Sequence, residues 1–211
     1  MKKILGLLIF LCSFNTLANN ILKVAVIDTG FNPKYSNQAN LCESGHKDFS
    51  GEGLFDYNGH GTNVIGLIVK HSSTKNYCII IIKAFAMKSP KTKSYIVEAL
   101  QYAYDIKADI INLSAGGEKP ISSEKRIVMK ILNKKQIFVT AAGNNGKNLD
   151  KACTYYPACY DKRIIVVGDK NKYSNYGKYV DAIQNGKNQT AFGQTMSGTS
   201  QSTAIFTGLL L

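Results

Sequence analysis

Five short and nearly unbroken apolar runs constrain this chain most: Leu22 to Ile27, Ile79 to Phe85, Asp109 to Leu113, Ile137 to Ala142 and Ile164 to Val167. A strand with one wet face alternates apolar and polar residues. Runs without that alternation need cover on both faces, which is the habit of a parallel sheet. The cover is present between them. Helical spacing extends from Gly61 to Lys70, from Tyr95 to Ile106 with Ile96, Val97, Leu100, Ala103 and Tyr104 on one face, and from Lys125 to Asn133. In the last of these, Ile127, Val128, Ile131 and Leu132 form the apolar stripe. Strands alternating with helices predict an α/β fold, a doubly wound, mostly parallel sheet with helices on both faces. With 211 residues, 45% of them hydrophobic, and no internal repeat, low-complexity tract or linker, the chain suits a single domain. Open α/β sheets gather their functional groups at the carboxyl ends of the strands, so the residues just after each run are the ones to inspect.

Those residues carry chemistry. Val24-Ala25-Val26-Ile27 leads into Asp28-Thr29-Gly30, and an Asn58-Gly59-His60-Gly61-Thr62 block opens the first helical stretch. Met196-Ser197-Gly198-Thr199-Ser200 stands before the last apolar segment. Each block alone suits a turn, a loop or a helix cap. Together they supply a carboxylate, an imidazole and a hydroxyl. A serine hydroxyl attacks only when an imidazole takes its proton, and a buried carboxylate holds that imidazole in the right tautomer. On this basis Ser200 is the nucleophile, His60 the general base and then acid, and Asp28 its orienting partner. Gly30, Gly59, Gly61 and Gly198 leave room for a substrate backbone to approach.

The three blocks, in the order Asp, His, Ser, resemble those of the subtilisin-like serine peptidases, the subtilases. The resemblance implies a subtilisin-like fold and hydrolysis of peptide bonds in a peptide or protein substrate through an acyl-enzyme. Gly143-Asn144-Asn145-Gly146, after the run ending at Ala142, resembles the family block whose asparagine amide stabilises the oxyanion, and assigns that role to Asn144. In subtilisin itself, loss of this donor costs about 10² to 10³ in turnover. Ile110 to Gly117 resembles the segment that pairs with substrate as an added strand, so Ser114, Ala115 and Gly116 would form one wall of a groove and Ala142 and Gly143 the other. Both walls are small and uncharged, which implies an open pocket for a bulky apolar residue before the cut. No cofactor or metal is required for the chemistry. Relatives often hold a structural calcium, but no carboxylate cluster in this sequence supports one. The competing class is a catalytically silent subtilase-like scaffold that binds peptides or a partner.

The chain departs from the family in two places. Gln201 to Gly208 lacks the Pro-His pair that usually follows the nucleophile. The first strand begins soon after Ala18, leaving no room for an inhibitory prodomain, and the last residues fall inside the helix expected to start at Ser200. A shortened core, with a folding partner in place of the prodomain, and a fragment both fit. In either case Ile205, Phe206, Leu209, Leu210 and Leu211 are expected to lack cover.

Met1-Lys2-Lys3, the apolar stretch Ile4 to Cys12 and Thr16-Leu17-Ala18 read as a signal peptide over 1–18, with the peptidase domain over 19–211. That predicts a secreted or periplasmic protein with no stable membrane insertion after cleavage. Loss of Cys12 leaves Cys42, Cys78, Cys153 and Cys159, an even number that suits two disulfides. The short Cys153 to Cys159 spacing favours a local bridge and leaves Cys42 with Cys78; the spacings do not suit zinc. The net charge of +12 comes from scattered lysines, with no basic, aromatic-interleaved run to suggest nucleic acid. His46 and His71 stand outside the motifs.

Overall fold

The computed structural model describes residues 21–88 and 93–211. The expected signal segment, with Cys12, lies outside the described residues. The elements in chain order are β1 (Leu22–Asp28), β2 (Lys47–Asp48), α1 (His60–His71), β3 (Tyr77–Lys83), β4 (Phe85–Ala86), β5 (Lys93–Ser94) and α2 (Ile96–Asp105). There follow β6 (Ile110–Leu113), α3 (Ser122–Asn133), β7 (Ile137–Ala141), β8 (Ile165–Asp169), β9 (Ala182–Gln184), β10 (Gln189–Ala191), β11 (Gln194–Met196) and α4 (Thr199–Leu209).

Seven strands form one sheet in the order β2-β3-β1-β6-β7-β8-β9. Every pairing in it is parallel. Alternate residues of each strand face opposite cores. Ala25 and Ile27 of β1 join Leu100 and Ala103 of α2 and Ile127, Val128 and Ile131 of α3. Val24 and Val26 face the other way, against Val64, Ile65 and Ile68 of α1 and Ala204 and Ile205 of α4. The unbroken apolar runs are thus strands covered on both sides, as the sequence predicts. The chain leaves β1 toward β3 and later returns to β6 on β1's other side, so Asp28, at the carboxyl end of β1, stands at the point where the winding direction changes.

The second apolar run splits. β3 stops at Lys83, and the Ala84 N–H turns to donate to the Asp28 carbonyl at 2.9 Å, so Phe85 pairs instead with Ser94 in a separate two-stranded ribbon. α3 starts at Ser122, ahead of its basic pair, because buried Glu124 in its first turn accepts a 2.8 Å hydrogen bond from the Tyr160 hydroxyl. Strands β2, β9 and the β10–β11 hairpin are only two or three residues long, too short to leave a period in the sequence.

The apolar end of α4 is better covered than the sequence suggests. Ile205 and Leu211 are buried in the core shared with α1, Phe206 packs against it, and only Leu209 and Leu210 remain exposed. The cover comes from α1 and the sheet, which sequence spacing alone does not bring to mind. Disulfides join Cys42 to Cys78 and Cys153 to Cys159, the pairing expected. His46 is structural: its ring lies 3.0 Å from the Cys42 carbonyl and accepts from the Ile81 N–H at 3.0 Å.

Candidate active site

Asp28 is the last residue of β1 and His60 the first of α1. The fold places them face to face, with His60 Nδ1 2.7 Å from Asp28 Oδ1. The same carboxylate oxygen accepts from the Thr29 N–H at 2.8 Å, which holds its orientation. Asp28 is almost fully buried, whereas the imidazole keeps a quarter of its surface open. Burial alone would lower the His60 pKa. The charge and hydrogen bond of Asp28, helped by the charge of Asp56, outweigh it, and the pKa stands above the ordinary 6.5.

Asp56 is a site residue that the motif analysis missed. Helix α1 begins after Gly59, whose φ of 88° suits glycine and which offers no side-chain cap. Asp56 supplies the cap. Its carboxylate accepts from the N–H groups of Asn58 (3.0 Å), Gly59 (2.8 Å) and Thr62 (2.8 Å) and from the hydroxyls of Thr62 (2.7 Å) and Thr29 (2.9 Å). The Thr29 hydroxyl in turn accepts from the Gly61 N–H at 2.9 Å, tying the Asp28 turn to the His60 turn. Burial pushes the Asp56 carboxyl up, but the hydrogen bonds from Thr62, Gly59 and Thr29 prevail and hold it below the usual 3.8.

Asp56→Ala is therefore expected to cost about 2 to 3 kcal/mol, a lost cap plus buried donors without acceptors. Thermal unfolding would measure it. The wild-type contribution is present above pH 3.8 and fades as pH falls through the lower folded value, so the stability gap between wild type and variant should narrow in acid. A gap that stayed constant down to pH 2 would argue against a charged cap.

Ser200 lies in the first turn of α4, after Gly198. Its hydroxyl donates to the Ser114 carbonyl at 2.8 Å rather than to His60, and the Ser114 hydroxyl donates to the Ser200 carbonyl at 3.1 Å. Asn144 Oδ1 accepts from the Thr199 N–H at 2.9 Å, which leaves the amide nitrogen to point elsewhere. The Gly143 N–H reaches the Thr199 hydroxyl at 3.3 Å. The two segments expected as groove walls, 114–116 and 142–143, thus both touch the turn that carries Ser200. Buried Asn175 holds the second wall, donating to the Ala142 carbonyl at 2.8 Å and accepting from the Asn145 and Lys147 N–H groups at 3.2 and 2.9 Å. Helices α1 and α4 are registered by a buried bond from Gln201 to Asn63 at 3.1 Å, and Asn63 donates to the carbonyls of Gln189 (3.0 Å) and Gln194 (2.9 Å).

The open pocket expected between the walls is filled. A Cβ placed on Gly116 would lie 2.6 Å from Cε1 of Tyr155, and one on Gly143 would lie 2.7 Å from Cε2 of the same ring. Glycine at both positions is what admits an aromatic ring there. Among the described residues no three His, Cys, Asp or Glu side chains gather in a way that could hold a metal. Among the described residues no helix is long and apolar enough to cross a membrane.

The subtilase family model matches residues 19–211. The major intracellular serine protease of Bacillus subtilis (strain 168) is 28% identical over 215 residues, covering 90% of this chain and 67% of that protein. The thermophilic serine proteinase of Bacillus sp. (strain AK1) is 32% identical over 208 residues, covering 89% of this chain and 50% of that protein. This chain therefore spans about one half to two thirds of the length of these relatives. Among solved structures, a cold-adapted subtilisin-like serine proteinase superposes with a TM-score of 0.74 at 26% identity, over 90% of this chain and 74% of that one. Fold, strand-end placement of the motifs and sequence similarity agree, and the chain belongs to the subtilase family.

Proposed function

We propose that this protein is an exported serine endopeptidase that cuts peptide bonds through an acyl-enzyme on Ser200. The 2.7 Å contact between His60 Nδ1 and Asp28 Oδ1 carries the proposal, because it leaves Nε2 as the proton acceptor. Ser200 turns from the Ser114 carbonyl toward that nitrogen. Its Oγ bonds to the substrate carbonyl carbon as the proton passes to His60. The oxyanion receives the Asn144 amide and the Ser200 N–H, which as a first-turn helix group has no intrahelical acceptor. His60 then protonates the departing amine, and water hydrolyses the acyl-enzyme with the same residue as base. Ser114, once released by Ser200, can accept from the N–H of a substrate strand laid along 114–116. The two disulfides support an oxidising compartment, although the Bacillus subtilis relative is named as intracellular. Cell fractionation against a cytoplasmic marker checks that part.

A second reading has one observation in its favour. The Ser200 hydroxyl is engaged by Ser114, as it would be in a subtilase-like scaffold that binds peptides without cutting. Labelling by a serine-reactive fluorophosphonate separates the two: the enzyme labels, and the scaffold does not.

The pH dependence follows from His60. Only the neutral ring accepts a proton from Ser200, and its pKa is raised above 6.5, so protonation persists further toward neutrality than in a free histidine. Peptidase kcat/KM is expected to fall as pH drops, with its midpoint above 6.5. A profile flat from pH 8 to pH 4 would rule out an imidazole base.

A further inference from the structure

We infer that Tyr155 sets the specificity of this groove, closing the pocket between Gly116 and Gly143 so that the residue on the acyl side of the scissile bond must be small. The inference rests on the peptidase reading above and specifies which side chain that peptidase accepts. Opposite edges of one ring abut the two walls: Cε1 lies 2.6 Å from a Cβ placed on Gly116, and Cε2 and Cδ2 lie 2.7 and 2.8 Å from one placed on Gly143. A second ring or long aliphatic chain cannot share that space. The location is next to the chemistry, since Ser114, two residues before Gly116, bonds directly to Ser200, and Gly143 bonds to Thr199.

The ring is anchored rather than loosely folded in. Tyr155 stands inside the loop closed by the Cys153–Cys159 disulfide, and its carbonyl accepts from the Cys159 N–H at 2.9 Å. The adjacent Tyr156 pairs with Gly117 in both directions, at 2.8 and 2.7 Å. Pro157 and Ala158, just beyond, are buried. Rotating the ring away would move a side chain that is already packed against the main core. Further along the chain from each wall, Lys147 and Glu118 form a 2.6 Å ion pair. Both partners are nearly half exposed, so the pair adds little strength.

The test uses the full chain with succinylated tetrapeptide p-nitroanilides that differ only in alanine or phenylalanine before the anilide. Wild type should favour alanine in kcat/KM by at least about tenfold. Tyr155→Gly should shift the ratio toward phenylalanine by about 100-fold, and Tyr155→Phe should keep the wild-type order because the ring, not the hydroxyl, fills the space. Wild type that prefers phenylalanine overturns the inference, as does a folded Tyr155→Gly with an unchanged ratio. Fluorophosphonate labelling monitors the chemistry separately, since that reagent presents no such side chain. If wild type fails to label, the peptidase reading falls, and the pocket is then read by calorimetry. There, Ser200→Ala protein should bind acetylated tetrapeptide amides ending in alanine more tightly than those ending in phenylalanine. Equal affinities would overturn the inference without reference to catalysis.

Discussion

Replacing Ser200 with alanine is expected to lower turnover by about 10⁶-fold, the scale of the equivalent loss in subtilisin, and to abolish fluorophosphonate labelling. The fold should scarcely notice. The lost hydroxyl makes one hydrogen bond, to the Ser114 carbonyl, and such a bond contributes about 1 kcal/mol net. Steady-state kinetics, labelling and a thermal melt on one preparation would test all three points. Retained labelling would mean a different nucleophile. Ser202 is badly placed to be one, because it is fully buried and its hydroxyl faces the Gln184 carbonyl at 3.4 Å.

Asp28→Asn should cost about 10⁴-fold in kcat, because an amide does not select the imidazole tautomer that leaves Nε2 free, nor stabilise the imidazolium that forms. The structure adds a second signature. Burial lowers the His60 pKa, and the charge and hydrogen bond of Asp28 are the main forces raising it. Asp56 remains in the variant and supplies only part of that field, so the residual activity should persist to lower pH than in wild type. A variant that lost rate with no movement of its pH midpoint would place Asp28 in a structural role and leave the base without its partner.

The candidate triad was legible in the sequence because each member stands in a short block with its own chemistry. Asp28, His60 and Ser200 stand where a strand ends or a helix begins, and residues within a few positions of each determine those boundaries. The sheet was legible for a related reason: strands buried on both faces cannot alternate, and β1, β3, β6, β7 and β8 all lack alternation. Asp56 could have been found. It lies three residues before the Gly59 cap position, close enough to turn back on the first N–H groups of α1. Asn175 and the Gln201–Asn63 bond had no comparable signal, since their partners are far away in the chain and neither belongs to a motif.

The sequence by itself determined the fold class, the order of the candidate triad residues and a favoured disulfide pairing, because apolar runs, short motifs and cysteine spacing are properties of neighbouring residues. The tertiary structure decided what stands inside the groove. Gly116 and Gly143 read as empty space when taken alone, and it is the disulfide-closed loop, returning from further along the chain, that puts the Tyr155 ring between them. It likewise decided that Ser200 rests on Ser114 and that α1 and the sheet cover much of α4. Side-chain occupancy of a cavity depends on which distant segments pack there, and no local periodicity encodes it.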